Sequence, residues 1–180
     1  MSRKTPNISI HSHSLELIAE PERIRAARRG EIMHHALDAL GRSAGTAPSS
    51  PIGPADLERA VLAAHAILDL DPGEWKIAED FVKPLARAFA LPQFKAWFEG
   101  GATSLREAEI VDASGGVHRP DRVVLGQDTV EVIDFKVGKR EEGHQDQVRA
   151  YVDLLRAVFD KLKVTGYLVY LDEPAVVEVT

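Results

Sequence analysis

Two hydrophobic periods run along this chain, and the change between them falls near Gly101. Before it, apolar residues return every three to four positions, the helical period. Residues 14–29 hold Leu15, Ile18 and Ile24 partly in phase, with Pro21 forcing a break or a new first turn. Ile32 or Met33, Ala36, Leu37 and Leu40 then form one apolar face, which predicts a helix opened by Gly30 and closed by Gly41. From Gly41 to Pro54 the residues suit a flexible connection. Asp56 to Leu70 reads as a helix through Leu57, Ala60, Val61, Ala64, Ile67 and Leu68, and Asp71-Pro72-Gly73 stops it. Glu74 to Ala90 repeats Ile77, Phe81, Leu85 and Phe89 at fours, with a kink expected at Pro84. Phe94, Trp97 and Phe98 make a short aromatic helix whose spacing suits core packing better than base stacking.

Beyond Gly101 the period shortens to that of strands. Residues 105–113, 117–125 and 129–136 are three predicted strands, joined at Ser114-Gly115-Gly116 and Gly126-Gln127-Asp128 as an antiparallel meander. A helix over Glu141 to about Lys161 turns Val148, Tyr151, Leu154, Leu155 and Val158 inward, and strands follow at 164–171 and 176–179. The third strand, Val130-Glu131-Val132-Ile133-Asp134-Phe135-Lys136, is apolar on both faces and charged only at its exit. That pattern marks a central strand.

Composition bounds the class. The chain has 180 residues, 44% hydrophobic, enough for one globular unit: a polar lead-in over 1–13, then a single domain over 14–180 with a helical part to residue 100 and a sheet part from 101. There are no cysteines, which excludes disulfides and a cysteine-held iron–sulfur cluster. No apolar run approaches the roughly 18 residues of a membrane span, so the expectation is a soluble, cytoplasmic protein. A net charge of −6 argues against general polyanion binding. Local exceptions are the arginines at 23, 25, 28 and 29, and a second group at Lys136, Lys139 and Arg140.

Asp134 and Lys136 lie two apart on one strand, so their side chains share a face. A carboxylate beside an ammonium there is an ion pair, or part of a metal-dependent hydrolase in which the acid holds a divalent cation and the lysine orients water. The acid-x-Lys triplet alone decides nothing, since Glu74-Trp75-Lys76 repeats it. His34 and His35, adjacent on a helix, diverge by about 100° and cannot share one small ligand.

Taken in order, five blocks resemble the PD-(D/E)XK nuclease superfamily, in particular the RecB-like domain of AddA and of UvrD-type helicase-nucleases. They are Arg29-Gly30-Glu31-Ile32-Met33-His34, Leu105-Arg106-Glu107, Arg119-Pro120-Asp121-Arg122-Val123-Val124, Val132-Ile133-Asp134-Phe135-Lys136-Val137-Gly138-Lys139, and Gln147-Val148-Arg149-Ala150-Tyr151. The resemblance implies a restriction-endonuclease-like α/β fold, a mixed central sheet with an α-β-β-β-α-β core behind an N-terminal helical section. It implies Asp121, Asp134, Lys136 and Glu107 as catalytic residues, with Glu109 competing for the strand-one acid. Metal ligation would come from His34, Asp121, Asp134 and the Phe135 carbonyl. Gln147 and Tyr151, i and i+4 on the last long helix, would face the site or its DNA, with Lys139 and Arg140 as phosphate contacts or a solvated turn.

The expected cofactor is Mg²⁺, with Mn²⁺ substituting. The expected partners are DNA, in particular single-stranded ends, and a UvrD-like helicase motor in cis or in trans, in double-strand break repair or recombination. No nucleotide-binding Gly-x-x-x-x-Gly-Lys-Ser/Thr loop lies in the chain itself. The competing expectation is a catalytically inactive relative that binds DNA or scaffolds a helicase complex.

Overall fold

The computed structural model describes residues 21–41 and 51–179, apart from 107, 113 and 142. The expectations for the polar lead-in over 1–13, the helical start before Pro21, residues 42–50 and Glu107 lie outside the described residues.

Helix α1 runs unbroken from Pro21 to Gly41 and α2 from Pro54 to Ile67. Pro21 is the first described helical residue, where a missing N–H costs nothing. Gly30 therefore sits inside α1 and does not open a helix, a correction to the sequence reading. The two helices pack through Ile32, Met33, Ala36 and Leu37 on α1 and Leu57, Ala60, Val61 and Ala64 on α2, all buried.

After a short 3₁₀ turn at Pro72–Glu74, the chain passes through one π-type turn, Ala78–Val82, into α3, Lys83–Phe89. Pro84 has no N–H to offer the Asp80 carbonyl. Arg29 Nε on α1 donates to that oxygen at 3.0 Å, so the kink expected at Pro84 is a π turn that also ties α1 to this segment. Helix α4, Pro92–Glu99, buries Phe94, Trp97 and Phe98, and the aromatic stripe is core.

Seven strands follow: β1 Thr103–Arg106, β2 Ile110–Val111, β3 Val117–His118, β4 Arg122–Leu125, β5 Thr129–Lys136, β6 Lys163–Tyr170 and β7 Ala175–Val179, with α5 at Gly143–Val158 between β5 and β6. The main sheet has the order β1-β4-β5-β6-β7. Among the described strands only β5 and β6 are parallel, as the α5 crossover between them requires.

The predicted strands 105–113 and 117–125 are each broken in two. The later part of the first and the opening of the second, β2 and β3, form a separate two-stranded hairpin that lies in the chain between β1 and β4. Pro120, which cannot donate to a ladder, lies in the second break. The meander thus survives as β1-β4-β5 with a hairpin inserted.

Strand β5 is covered on both faces, as its sequence implies. Ile133 and Phe135 face the helical section and meet its aromatic residues, while Val130 and Val132 lie under α5 with Val148, Tyr151, Val152 and Leu155. A Cβ at Gly166 on β6 would fall 2.6 Å from Val148 Cγ1 and 2.7 Å from Val152 Cγ2, so glycine there lets α5 lie close against the sheet. No described helix is long and apolar enough to cross a membrane.

Candidate active site

The sheet itself makes the site. Strand β4 begins at Arg122, opposite Ile133 of β5, so the last residues of β5 extend past their antiparallel neighbour. Asp121 occupies that step, in a bend just before β4 and not on the strand where the sequence placed it. Its Oδ2 accepts from the Phe135 N–H at 2.6 Å. In a strand, one residue's N–H and C=O point toward the same neighbour. The Phe135 carbonyl, expected as a ligand, is therefore turned toward this step as well.

The other Asp121 oxygen, Oδ1, lies 3.0 Å from His34 Nδ1. His34 sits on the face of α1 that crosses the end of β5, with its ring edge-on to Phe135. The structure thus brings His34 to Asp121, and His35, one residue on, points elsewhere around the helix. Burial alone would lower the His34 pKa, but the Asp121 hydrogen bond and charge outweigh it and the net shift is upward.

Asp134 is buried, 3% exposed. Lys136 Nζ approaches its Oδ2 at 2.7 Å, a close ion pair outside hydrogen-bonding angles, so that buried oxygen has charge compensation but no hydrogen-bond donor. Burial first, and then the charge of Asp121, push the Asp134 pKa up to about 6 despite Lys136.

Lys136 also donates to Gln147 Oε1 at 2.9 Å, Gln147 Nε2 donates to Tyr151 Oη at 2.7 Å, and Tyr151 Oη donates to the Arg119 carbonyl at 3.4 Å. The i, i+4 pair on α5 therefore does face the site, and it reaches Lys136 directly. Tyr151 is at once a buried core residue under the sheet and the end of this chain of bonds.

Glu109 is committed to Arg119, whose Nη2 and Nε lie 2.6 and 3.0 Å from its Oε1 on the exposed surface. Lys139 and Arg140 stand on the exposed loop after β5, with Arg140 over the Tyr170 ring at 4.8 Å. Of the α1 arginines, Arg25 covers Trp75 at 4.1 Å and Arg29 pairs with Asp172 at 2.6 Å, so part of that basic group holds the fold together.

Arg122 points away from Asp121, as strand alternation requires. It is buried over Phe98 and donates to the Trp97 carbonyl and to Ser104 Oγ, a structural tie between α4 and the sheet. Sequence reasoning missed Asp172, which accepts from Gly138 N–H and from Arg29 and so fixes the loop after Lys136. No spacing rule announces a contact made across 34 residues.

The donor set suits a hard divalent cation: carboxylate oxygens, an imidazole and no sulfur. A buried oxygen without a donor and a carboxyl driven toward neutrality by a second carboxylate are both relieved by added positive charge. Among the described residues no group of three or more His, Asp or Glu could by itself hold a metal ion, so backbone or water oxygens would have to complete any shell.

A model of the PD-(D/E)XK nuclease superfamily matches residues 10–179, and the chain belongs to that superfamily. Its mixed five-stranded sheet with an N-terminal helical part is consistent with the restriction-endonuclease-like fold of that group. Curated proteins yield no match. Among solved structures, one described as "Crystal structure of SSO0001" is similar at 16% identity with a TM-score of 0.31, covering 84% of this chain. The chain spans 66% of that structure's length.

Proposed function

We propose that this chain is a Mg²⁺-dependent deoxyribonuclease, a RecB-like nuclease unit over residues 14–180 that hydrolyses phosphodiester bonds in DNA. Mn²⁺ would serve in place of Mg²⁺. The observation that carries the reading is the convergence at the end of β5. The charge of Asp121 raises the Asp134 pKa, His34 holds Asp121, and Lys136 stands on Asp134.

In this reading Asp121 and Asp134 would hold the cation together with the Phe135 carbonyl and water oxygens, and by family likeness His34 and Glu107 would add to that shell. The cation supplies a Lewis acid for the phosphoryl oxygens. Lys136, fixed between Asp134 Oδ2 and Gln147 Oε1, keeps an N–H with which to hold the attacking water in line with the departing oxygen. By family likeness the products carry a 5′-phosphate and a 3′-hydroxyl. The same likeness supports cytoplasmic action on single-stranded ends beside a UvrD-type helicase, exonuclease V-like, in double-strand break repair.

Digestion of labelled single- and double-stranded DNA with Mg²⁺, Mn²⁺ or EDTA tests the reading. Metal-dependent cleavage is expected from the parent, with losses of about 10²–10⁴-fold in Asp134→Ala and Lys136→Ala at unchanged circular dichroism. Equal rates in parent and variants would end it. The second reading, an inactive DNA-binding or scaffolding module, draws on the absence of a three-residue metal group among the described residues. It predicts DNA binding with no cleavage in either metal.

A further inference from the structure

A cleft of about 340 Å³ opens beside the site, lined by Gly138, Lys139, Arg140, Tyr170, Asp172 and Glu173. It lies at the carboxyl ends of β5 and β6, the one parallel pair in the sheet, where open α/β sheets most often take ligands. Lys136 and Tyr170 are direct neighbours across that pair. Neighbouring strands are about 4.8 Å apart, no more than the spacing of adjacent phosphates along one DNA strand. The cleft therefore lies within one or two phosphates of Lys136.

Its charge is prepared for an anion. Asp172 is the one lining acid that is not exposed, and it is already spoken for: Oδ1 pairs with Arg29 at 2.6 Å and Oδ2 accepts from Gly138 N–H at 2.8 Å. Burial would raise the Asp172 pKa, but Arg29 outweighs it, so the group stays ionised and locked in that pair. The same contact fixes the loop at Gly138, whose φ of +95° is left-handed and suits glycine.

Lys139 and Arg140 follow on that anchored loop, exposed, and among the described residues neither has a carboxylate partner. Arg140 is stacked on Tyr170 at 4.8 Å, which holds the guanidinium plane while its N–H edge stays open. Glu173, exposed at the rim, discourages a dense anion and favours a singly charged phosphodiester over a dianionic phosphate.

We infer that this cleft is a second phosphate subsite, binding through Lys139 and Arg140 a phosphodiester of the DNA strand one or two nucleotides from the bond to be cut. The inference rests on the nuclease reading for its substrate and is tested by binding, so the two fail separately.

The full chain carrying Asp134→Asn is titrated with a fluorescent oligothymidylate at several salt concentrations, alone and with Arg140→Ala, Lys139→Ala or both. Each single change should weaken binding by about 5-fold, the worth of one charge-assisted contact near 1 kcal/mol. The double change should reduce the slope of log affinity against log salt by about 0.7, the worth of one phosphate on a single strand. Arg140→Lys should keep the slope.

Millimolar inorganic phosphate should compete weakly. If it instead abolishes the whole Arg140 effect while the salt slope is the same with and without these side chains, the site takes free phosphate and the inference is overturned. Equal affinities and slopes in all variants overturn it too. An Arg140 effect on binding in a chain that never cleaves would sustain the subsite and remove the nuclease reading; cleavage with no such effect does the reverse.

Discussion

Asp112, in the turn of the β2–β3 hairpin, and Asp134, at the end of β5, show two opposite fates for a carboxylate. Asp112 Oδ1 accepts from Ser114 N–H, Ser114 O–H and Gly116 N–H, while Oδ2 meets His118 Nε2 at 2.8 Å. Those donors hold its pKa well below the usual carboxylate range. Asp134 is buried, has one ammonium beside it and no hydrogen-bond donor on Oδ2, and its pKa rises to about 6. A carboxylate with its bonds complete holds a turn together. One buried at a sheet end beside a second carboxylate is destabilised while charged, and either added positive charge or loss of its own charge relieves it.

The largest effect expected from this contrast is on stability against pH. The folded chain binds the Asp134 proton more tightly than the unfolded chain, whose carboxyl titrates near 4. Stability contributed by this group therefore falls as pH rises from about 4 to about 6 and stays lower above. Asp134→Asn should raise the metal-free thermal midpoint at pH 8, by the equivalent of up to roughly 2 kcal/mol, and change little at pH 4. Mg²⁺ at pH 8 should stabilise the parent and not the variant. A variant less stable than the parent at pH 8 would erase the contrast.

A middle-sized effect falls on the chain of bonds behind Lys136. Gln147→Leu removes the acceptor that fixes its Nζ and should lower kcat about 5–10-fold with KM nearly unchanged. Tyr151→Phe, which frees the Gln147 amide to rotate and removes the long bond to the Arg119 carbonyl, should cost about 2–5-fold. A change in KM alone would assign both residues to strand binding.

The smallest effect belongs to Asp112. Its pKa is depressed on folding, so Asp112→Asn should cost stability at pH 7 and progressively less as pH falls below about 4, with DNA cleavage unaltered. Thermal melts across pH and a cleavage assay measure both halves.

Much of this was legible before any coordinates. The core positions of β5 and β6 follow from period and length, because those elements are buried on long continuous faces; on α5 Val148, Tyr151 and Leu155 are buried as expected, but Val158, expected inward, is 63% exposed at the helix end and Val152 is buried in its place. His34 was separable from His35 only by family resemblance, since adjacent helical positions differ in direction but not in pattern. The breaks at 108–109 and 119–121 were hidden by apolar residues on both sides, although Pro120 was an available warning. That break is what frees Asp121 from the strand and lets it reach Phe135 N–H and His34 together. The link from Lys136 to Gln147 joins two elements across a loop, and Asp172 reaches Gly138 from the far end of β6. Contacts of that kind depend on where elements dock, which local periodicity does not encode.

Calorimetric titration with Mn²⁺ at about pH 7.5 asks most directly whether the step at the end of β5 gathers a cation. The parent should bind one ion per chain, Asp134→Asn and Asp121→Asn should each bind at least about 10-fold more weakly, and Asp112→Asn should match the parent. Equal Mn²⁺ affinity in the parent and in Asp134→Asn would contradict the account.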